Sequence, residues 1–236
     1  MSLIADPRHT RADLRRWDAT VLAALETTRT VEHQRRLDEA RRAIDEFGSD
    51  GYVGVSWGKD SMVVGHLAQS AGLPLVWIRV HPIENPDCVA VAEASGWEYS
   101  TIERWCRWER GEWRASGTLE AGFAEARERF GSRHVSGVRA EESGTRKLTC
   151  MRNGTVSEST CRPLAWWTGY DVFGYLLTHD LPIHPAYAFT MRGLLDPCTI
   201  RVASLTGRRG TGMGREQWER FYYARRLAVL ARGPNA

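Results

Sequence analysis

One short stretch of the chain carries the residue types that bind a phosphate. Residues 56–61 read Ser-Trp-Gly-Lys-Asp-Ser and stand between a β-branched run and a segment with helical periodicity. This pattern predicts a strand, a tight turn at Gly58 and a helix N-terminus, where unpaired backbone N–H groups and the helix dipole attract an anion. Lys59 adds a mobile cation, and Ser56 and Ser61 add hydroxyl donors. The stretch therefore predicts a phosphate site.

A second polar stretch follows the short predicted strand at 134–137. It contains Arg139 and Arg146, seven residues apart, with Glu142 and Ser143 between them. The planar fork of arginine suits two-point binding of a phosphate or sulfate. Glu142 could fix one of the arginines by an ion pair, or ligate Mg²⁺ beside phosphates. Taken alone, the stretch fits an exposed charged turn at least as well.

The elements that must position these stretches alternate between strands and helices. This alternation favours an α/β fold, with a mostly parallel sheet flanked by helices, over residues 51–200. Ligands bind beyond the carboxyl ends of parallel strands, so both polar stretches are expected at one edge of the sheet. The predicted strands are 52–56, 73–80, 99–102 and 134–137, and the helices between them are 60–71, 86–95 and 119–130.

The two ends of the chain differ from this central part. Residues 1–50 predict two helices, a helical N-terminal extension whose charged faces fit solvent-exposed sides of packed helices. A homodimer or partner surface is the alternative for those faces. Residues 201–236 form a basic segment rich in glycine and arginine, followed by an aromatic helix. Its arginines are either part of a disordered tail or candidates for binding a nucleotide phosphate or a nucleic-acid backbone: Arg201, Arg208, Arg209 and Arg215.

Composition bounds the class of protein. The 236 residues are 42% hydrophobic and 26% charged with a net charge of +3, which is ordinary for a globular protein and does not by itself indicate nucleic-acid binding. No run of about eighteen apolar residues predicts a membrane span, and the charged N-terminus lacks the apolar core of a signal peptide. We therefore expect a cytoplasmic protein. The Trp- and Arg-rich residues 104–117 predict a mobile loop over the site or a substrate-recognition insert.

The five cysteines form no Cys-x-x-Cys pair and are odd in number, so a disulfide framework is not expected. Cys150 and Cys161 lie near arginines and a lysine, which would lower a thiol pKa and raise its reactivity, and Cys198 lies in the stretch Asp196-Pro197-Cys198-Thr199. These three are candidates for a sulfur-carrying nucleophile, a redox pair or iron–sulfur cluster ligands. The competing interpretation is that they are ordinary buried thiols.

Residues 56–61 do not form a Walker A loop, because three rather than four residues separate Gly54 from Gly58, and Asp60 follows Lys59. They resemble instead the PP-loop of the adenine-nucleotide α-hydrolase-like superfamily, and within it the phosphoadenosine-phosphosulfate (PAPS) reductase branch. The stretch Gly-Val-Arg-x-x-Glu-Ser-x-x-Arg at 137–146 resembles the second signature of that branch. Residues 162–175 and 181–187 resemble the third block of that branch. The first of these ranges contains Arg-Pro-Leu, followed by a helix start with the pattern Trp-x-x-x-Asp-Val.

The resemblance implies an adenine nucleotide in one cleft. The adenine would lie near Arg79, Val80 and His81. The residues implied to bind the nucleotide are Ser56, Gly58, Lys59, Asp60, Ser61, Ser143, Arg162 and Asp171, and those implied in catalysis are Lys59, Asp60, Arg139, Glu142 and Arg146. The sequence departs from sulfonucleotide reductases in lacking their Glu-Cys-Gly-x-His-type motif, since no cysteine follows Cys198.

Three functions are compatible with this reading. The first is an ATP pyrophosphatase that uses ATP and Mg²⁺, held by Asp60, Glu142 or Asp171, to adenylate an acceptor. Its resemblance extends to DNA-phosphorothioation sulfurtransferases, which implies sulfur transfer, a sulfur donor protein and a nucleic-acid substrate. The second is reduction of PAPS or adenosine phosphosulfate (APS) by an atypical cysteine. The third is a nucleotide-binding interaction module without turnover.

Overall fold

A parallel sheet organises the fold in the computed structural model, which describes residues 3–114, 117–202, 204–205 and 215–234, without the side chains of 215–217. Over these ranges the main sheet has five strands in the order β3-β2-β1-β6-β7, and every neighbouring pair is parallel. The strands are β1 Tyr52–Gly54, β2 Leu75–His81, β3 Ser100–Trp105, β6 His134–Val135 and β7 Thr160–Cys161, with a separate β4 Arg107–Glu109 and β5 Glu112–Arg114. The predicted α/β class is confirmed.

Helices cover the sheet and follow the predicted alternation with it. They are α1 Arg11–Thr28, α2 Val31–Phe47, α3 Lys59–Gln69, α4 Pro86–Ser95, α5 Thr118–Phe130, α6 Gly144–Asn153, α7 Gly169–Thr178, α8 Arg215–Tyr222 and α9 Ala224–Leu230. None of those within the described ranges is long and apolar enough to cross a membrane.

The N-terminal helices share the hydrophobic core of the sheet domain. Trp17 of α1 meets Phe173 of α7 edge to face, with ring centroids 5.1 Å apart. This contact requires Gly174, because a Cβ there would lie 2.4 Å from Thr28 Cγ2 and 2.7 Å from the Ala24 carbonyl oxygen. The first of the two predicted N-terminal helices, α1, thus packs against α7.

Residues 107–114 form a hairpin; they lie within the Trp- and Arg-rich stretch that was expected to be a mobile loop over the site or a substrate-recognition insert. Strands β4 and β5 pair antiparallel, and Trp108 meets Trp113 at a centroid distance of 5.1 Å. The indole N–H of Trp113 donates to the Leu230 carbonyl at 3.0 Å, so the hairpin rests on α9. Of the basic C-terminal candidates, Arg208, Arg209 and the Arg215 side chain lie outside the described residues.

Candidate active site

The phosphate-binding stretch forms the turn from β1 into α3. Gly58 is the N-cap of α3 and, having no side chain, makes no side-chain capping bond. Ser61 shapes the turn, because its Oγ accepts the Ser56 N–H at 3.1 Å and donates to the Gly58 carbonyl at 3.0 Å. Trp57 has a φ of 59° and is fully buried, with its ring 4.9 Å from that of Tyr99. The turn is therefore held in place before any ligand binds.

Lys59 does not provide the mobile cation that the sequence predicted. Its side chain is 1% exposed, and Nζ donates to the Ile200 carbonyl at 2.9 Å and lies 3.4 Å from Asp60 Oδ2. Its backbone N–H donates to Tyr187 Oη at 2.9 Å. Burial lowers the pKa of Lys59. The expected mobility is wrong, because Ile200, in the C-terminal part of the chain, accepts a hydrogen bond from the buried amine.

Asp60 and Arg139 join the two predicted polar stretches. Arg139 is buried and donates from Nε to Asp60 Oδ1 at 2.5 Å and from Nη1 to the Trp167 carbonyl at 3.3 Å. Burial acts to raise the pKa of Asp60, but the charges of Lys59 and Arg139 outweigh it and lower that pKa. The close approach needs Gly137, since a Cβ there would lie 2.9 Å from the Asp60 carbonyl carbon. Arg139 positions Asp60 rather than facing a ligand.

Glu142 gathers the exposed arginines of the site. Its Oε2 accepts the Arg139 backbone N–H at 3.1 Å and pairs with Arg146 Nη1, while Oε1 lies 3.5 Å from Arg201 Nε. Arg201 also donates to the Glu142 backbone carbonyl. Arg146 and Arg201 thus share one carboxylate. With Glu142 they form a cluster with a net charge of +1 at the edge of the sheet.

These groups line a cleft of about 440 Å³ above the carboxyl ends of β1, β2 and β6. One part of its wall is apolar, with Ile78, Leu119 and Phe123, and the other part is polar and charged. This division suits a ligand with a flat apolar group and an anionic group. The polar lining includes Ser56, Gly58, Asp60, Ser61, Glu84, Glu142, Arg146, Tyr187, Arg201 and Ser204.

Sequence reasoning missed some of this lining. Tyr187 lies in the loop that was matched to the third family block, so a positional signal existed, although its contact with Lys59 did not follow from it. Glu84 carried no motif. The adenine was expected beside Arg79, Val80 and His81, but Arg79 and His81 pair with Glu103 on β3, and the cleft reaches the neighbouring Val76, Trp77 and Ile78 instead.

Ser143, Arg162 and Asp171 were predicted to bind the nucleotide but do not line the cleft. Ser143 caps α6 by accepting the Arg146 N–H at 3.2 Å, and Arg162 follows the end of β7. Asp171 is fully buried, caps α7, and accepts from His33 at 2.9 Å and Arg36 at 2.6 Å. Burial acts to raise the pKa of Asp171, but hydrogen bonds from His33 and Thr168 lower it to about 2.

The three candidate cysteines lie on separate elements and do not line the cleft. Burial raises the pKa of Cys150, and raises the pKa of Cys161 and of Cys198 to about 12. The expected lowering is wrong for Cys150 and Cys161, because burial outweighs the nearby arginine charges, and at Cys198 burial and the charge of Asp196 outweigh that of Lys59. Within the described ranges, no three His, Cys, Asp or Glu side chains come together as metal ligands.

The sequence of the chain is similar to that of a known enzyme. No family model matches the chain. Among curated proteins, the chain is similar to a phosphoadenosine 5′-phosphosulfate reductase of Synechococcus, at 24% identity over 172 residues that cover 61% of this chain and 72% of the relative. This similarity supports the PAPS reductase-like family. The position of the cleft, at the carboxyl edge of the sheet, also agrees with a PAPS reductase-like nucleotide-binding enzyme.

Proposed function

We propose that the protein is an ATP pyrophosphatase that adenylates an acceptor. The observation that carries this proposal is that one cleft is bordered by the N-terminus of α3, by the Arg146–Glu142–Arg201 cluster and by an apolar wall. The apolar wall suits the adenine, and the helix N-terminus and arginines suit the phosphates.

The proposed reaction breaks the bond between the α-phosphorus and the bridging oxygen of the β-phosphate. A nucleophilic atom of the acceptor attacks the α-phosphorus, and pyrophosphate leaves with the electron pair of the broken bond. The helix N-terminus and the hydroxyl of Ser56 would orient the phosphates, Ser61 would hold the turn in shape, and Arg146 and Arg201 would stabilise the developing charge. Lys59 and Arg139 would contribute indirectly, because Lys59 holds the turn in place and Arg139 holds Asp60.

Mg²⁺ fits this cleft. Asp60 and Glu142 both line it, and carboxylate oxygens are preferred magnesium ligands. Protein sites usually hold Mg²⁺ through one or two carboxylates together with nucleotide phosphates and water, so two carboxylates suffice. The ion would neutralise phosphate charge when bound.

A second candidate is reduction of a sulfonucleotide, favoured by the name of the Synechococcus relative. That reaction needs a thiolate at the sulfur atom of the substrate. The described cysteines disfavour it, since burial raises the pKa of Cys150, Cys161 and Cys198, and none of these three borders the cleft.

One pair of assays separates the candidates. Purified protein is incubated with ATP and Mg²⁺, with hydroxylamine as a general acceptor, and separately with PAPS or APS plus a thiol reductant. Pyrophosphate without sulfite is the expected result. Sulfite that disappears on substituting one cysteine would refute the proposal in favour of reduction, and tight nucleotide binding without either product would indicate a non-catalytic module. Arg146→Ala should reduce pyrophosphate release, whereas Arg152→Ala, on the exposed part of the same helix, serves as the matched control.

A further inference from the structure

Glu84 also lines the cleft, from the turn that follows β2, whereas Arg146 lies on α6 after β6, and β1 stands between β2 and β6 in the sheet. It lies in the turn between β2 and α4, where its Oε1 accepts the Asn85 N–H at 2.8 Å and its Oε2 accepts the Val80 N–H at 3.3 Å. In α4, Cys88 Sγ contacts the Ser56 carbonyl at 3.4 Å, which places this turn beside the phosphate-binding turn. Two backbone donors therefore fix an acidic group in the ligand cleft.

The charges around Glu84 contrast with those at the other end. Among the described residues that line the cleft, the arginines and lysines are Arg146 and Arg201, and both converge on Glu142. Burial raises the pKa of Glu84, and the charges of Arg79 and His81 act against this rise. Both residues lie outside the lining and pair with Glu103, Arg79 at 3.8 Å. The cleft thus offers a cationic cluster at one end and a carboxylate at the other, so it suits a ligand with one anionic pole.

We infer that Glu84 selects an adenine nucleotide whose ribose carries no phosphate, such as ATP or APS rather than PAPS. This inference rests on the proposed binding of an adenine nucleotide in the cleft. Each carboxylate oxygen retains capacity to accept a further hydrogen bond, and the ribose hydroxyls are donors. A 3′-phosphate would instead bring a second anionic group against this carboxylate, and the described residues that line the cleft offer no further cation to neutralise it. An acidic side chain near the ribose hydroxyls makes the same distinction in dinucleotide-binding folds, where arginine accommodates a ribose phosphate.

Binding measurements with a matched ligand pair test this inference. AMP and adenosine 3′,5′-bisphosphate differ only in the 3′-phosphate, and calorimetry gives the Kd of each for the wild type, Glu84→Gln and Glu93→Gln. We expect the wild type to prefer AMP by roughly tenfold or more, the range expected when a hydrogen bond to a charged group is lost. Glu84→Gln should bring the two affinities within about threefold. Glu93→Gln removes an equal charge from an exposed position on α4 and should keep the wild-type preference.

The outcomes separate this inference from the function on which it rests. Equal or reversed affinities in the wild type would overturn the inference, and so would a preference for AMP that is unchanged in Glu84→Gln. In each of these cases, binding of ATP to the wild type would leave the proposed function standing. If ATP, AMP and the bisphosphate all fail to bind, the proposed nucleotide site itself is refuted. The wild-type comparison needs no variant, so it holds even if Glu84→Gln folds poorly.

Discussion

Replacement of Lys59 distinguishes a lysine that binds phosphate from one that supports the site. In this structure its amine is buried between the Ile200 carbonyl and the Asp60 carboxylate, at 2.9 and 3.4 Å, and it lies 4.9 Å from the centre of the Tyr187 ring. Lys59→Met fills most of the same volume but removes the charge and the donor. Breaking a buried, hydrogen-bonded ion pair costs about 3–5 kcal/mol of unfolding free energy. Because Asp60 keeps its 2.5 Å bond to Arg139, we expect the lower end of that range, about 3 kcal/mol.

Urea unfolding followed by tryptophan fluorescence measures this loss, and calorimetry measures nucleotide affinity on the same preparations. Lys147→Met is the matched control, because Lys147 is exposed on α6 and its replacement should change stability by no more than about 0.5 kcal/mol. A large loss of affinity in Lys59→Met with unchanged stability would refute the reasoning, since it would show that the amine binds the ligand directly.

Three further predictions concern the turn, a buried histidine and the thiols. Ser61→Ala removes two bonds that shape the phosphate-binding turn, so nucleotide Kd measured by calorimetry should rise roughly tenfold, whereas Ser70→Ala, which loses a similar backbone contact at the far end of α3, should leave Kd unchanged. Burial lowers the pKa of His184 to about 3, so between pH 6.5 and 3 the unfolded chain binds a proton that the native one does not. Unfolding free energy should therefore fall with decreasing pH in that window, by at most about 1.4 kcal/mol per unit from this group, and His184→Asn, whose side-chain oxygen can accept the same backbone N–H, should flatten the slope. Cys161 and Cys198 should react with a thiol reagent at pH 8 far more slowly in the native protein than in urea, and equal rates would contradict their raised pKa values.

The order of strands and helices followed from the sequence because it depends on local patterns. The β-branched run before Ser56 and the apolar spacing after Lys59 predicted β1, the turn and α3, which the structure contains within a few residues. The parallel edge then brought the turn and the Arg139–Arg146 stretch together as expected.

Side-chain directions did not follow, because they depend on distant contacts. The Lys59 side chain points away from the cleft because its amine donates a hydrogen bond to the carbonyl of Ile200, 141 residues later. Asp171 faces His33 and Arg36 of α2, which no local pattern predicts. Glu84 lies in a turn without a sequence motif, and its proposed role depends on the arginine cluster that lines the same cleft. Thiol reactivity was misjudged for the same reason, since neighbouring arginines can be read from the sequence but burial cannot.

The contact between Lys59 and Ile200 also sets an order for how the cleft is completed. Residues 200–202 and 204–205 contribute Val202 and Ser204 to the wall, and the Leu205 N–H donates to the Ile83 carbonyl at 2.6 Å. A nascent chain that has released only β1 to α7 holds the Lys59 amine without its carbonyl acceptor and the cleft without this wall. About 140 residues after Lys59 must therefore be synthesised before this hydrogen bond and this part of the wall can form, so the cleft is completed late in synthesis rather than progressively.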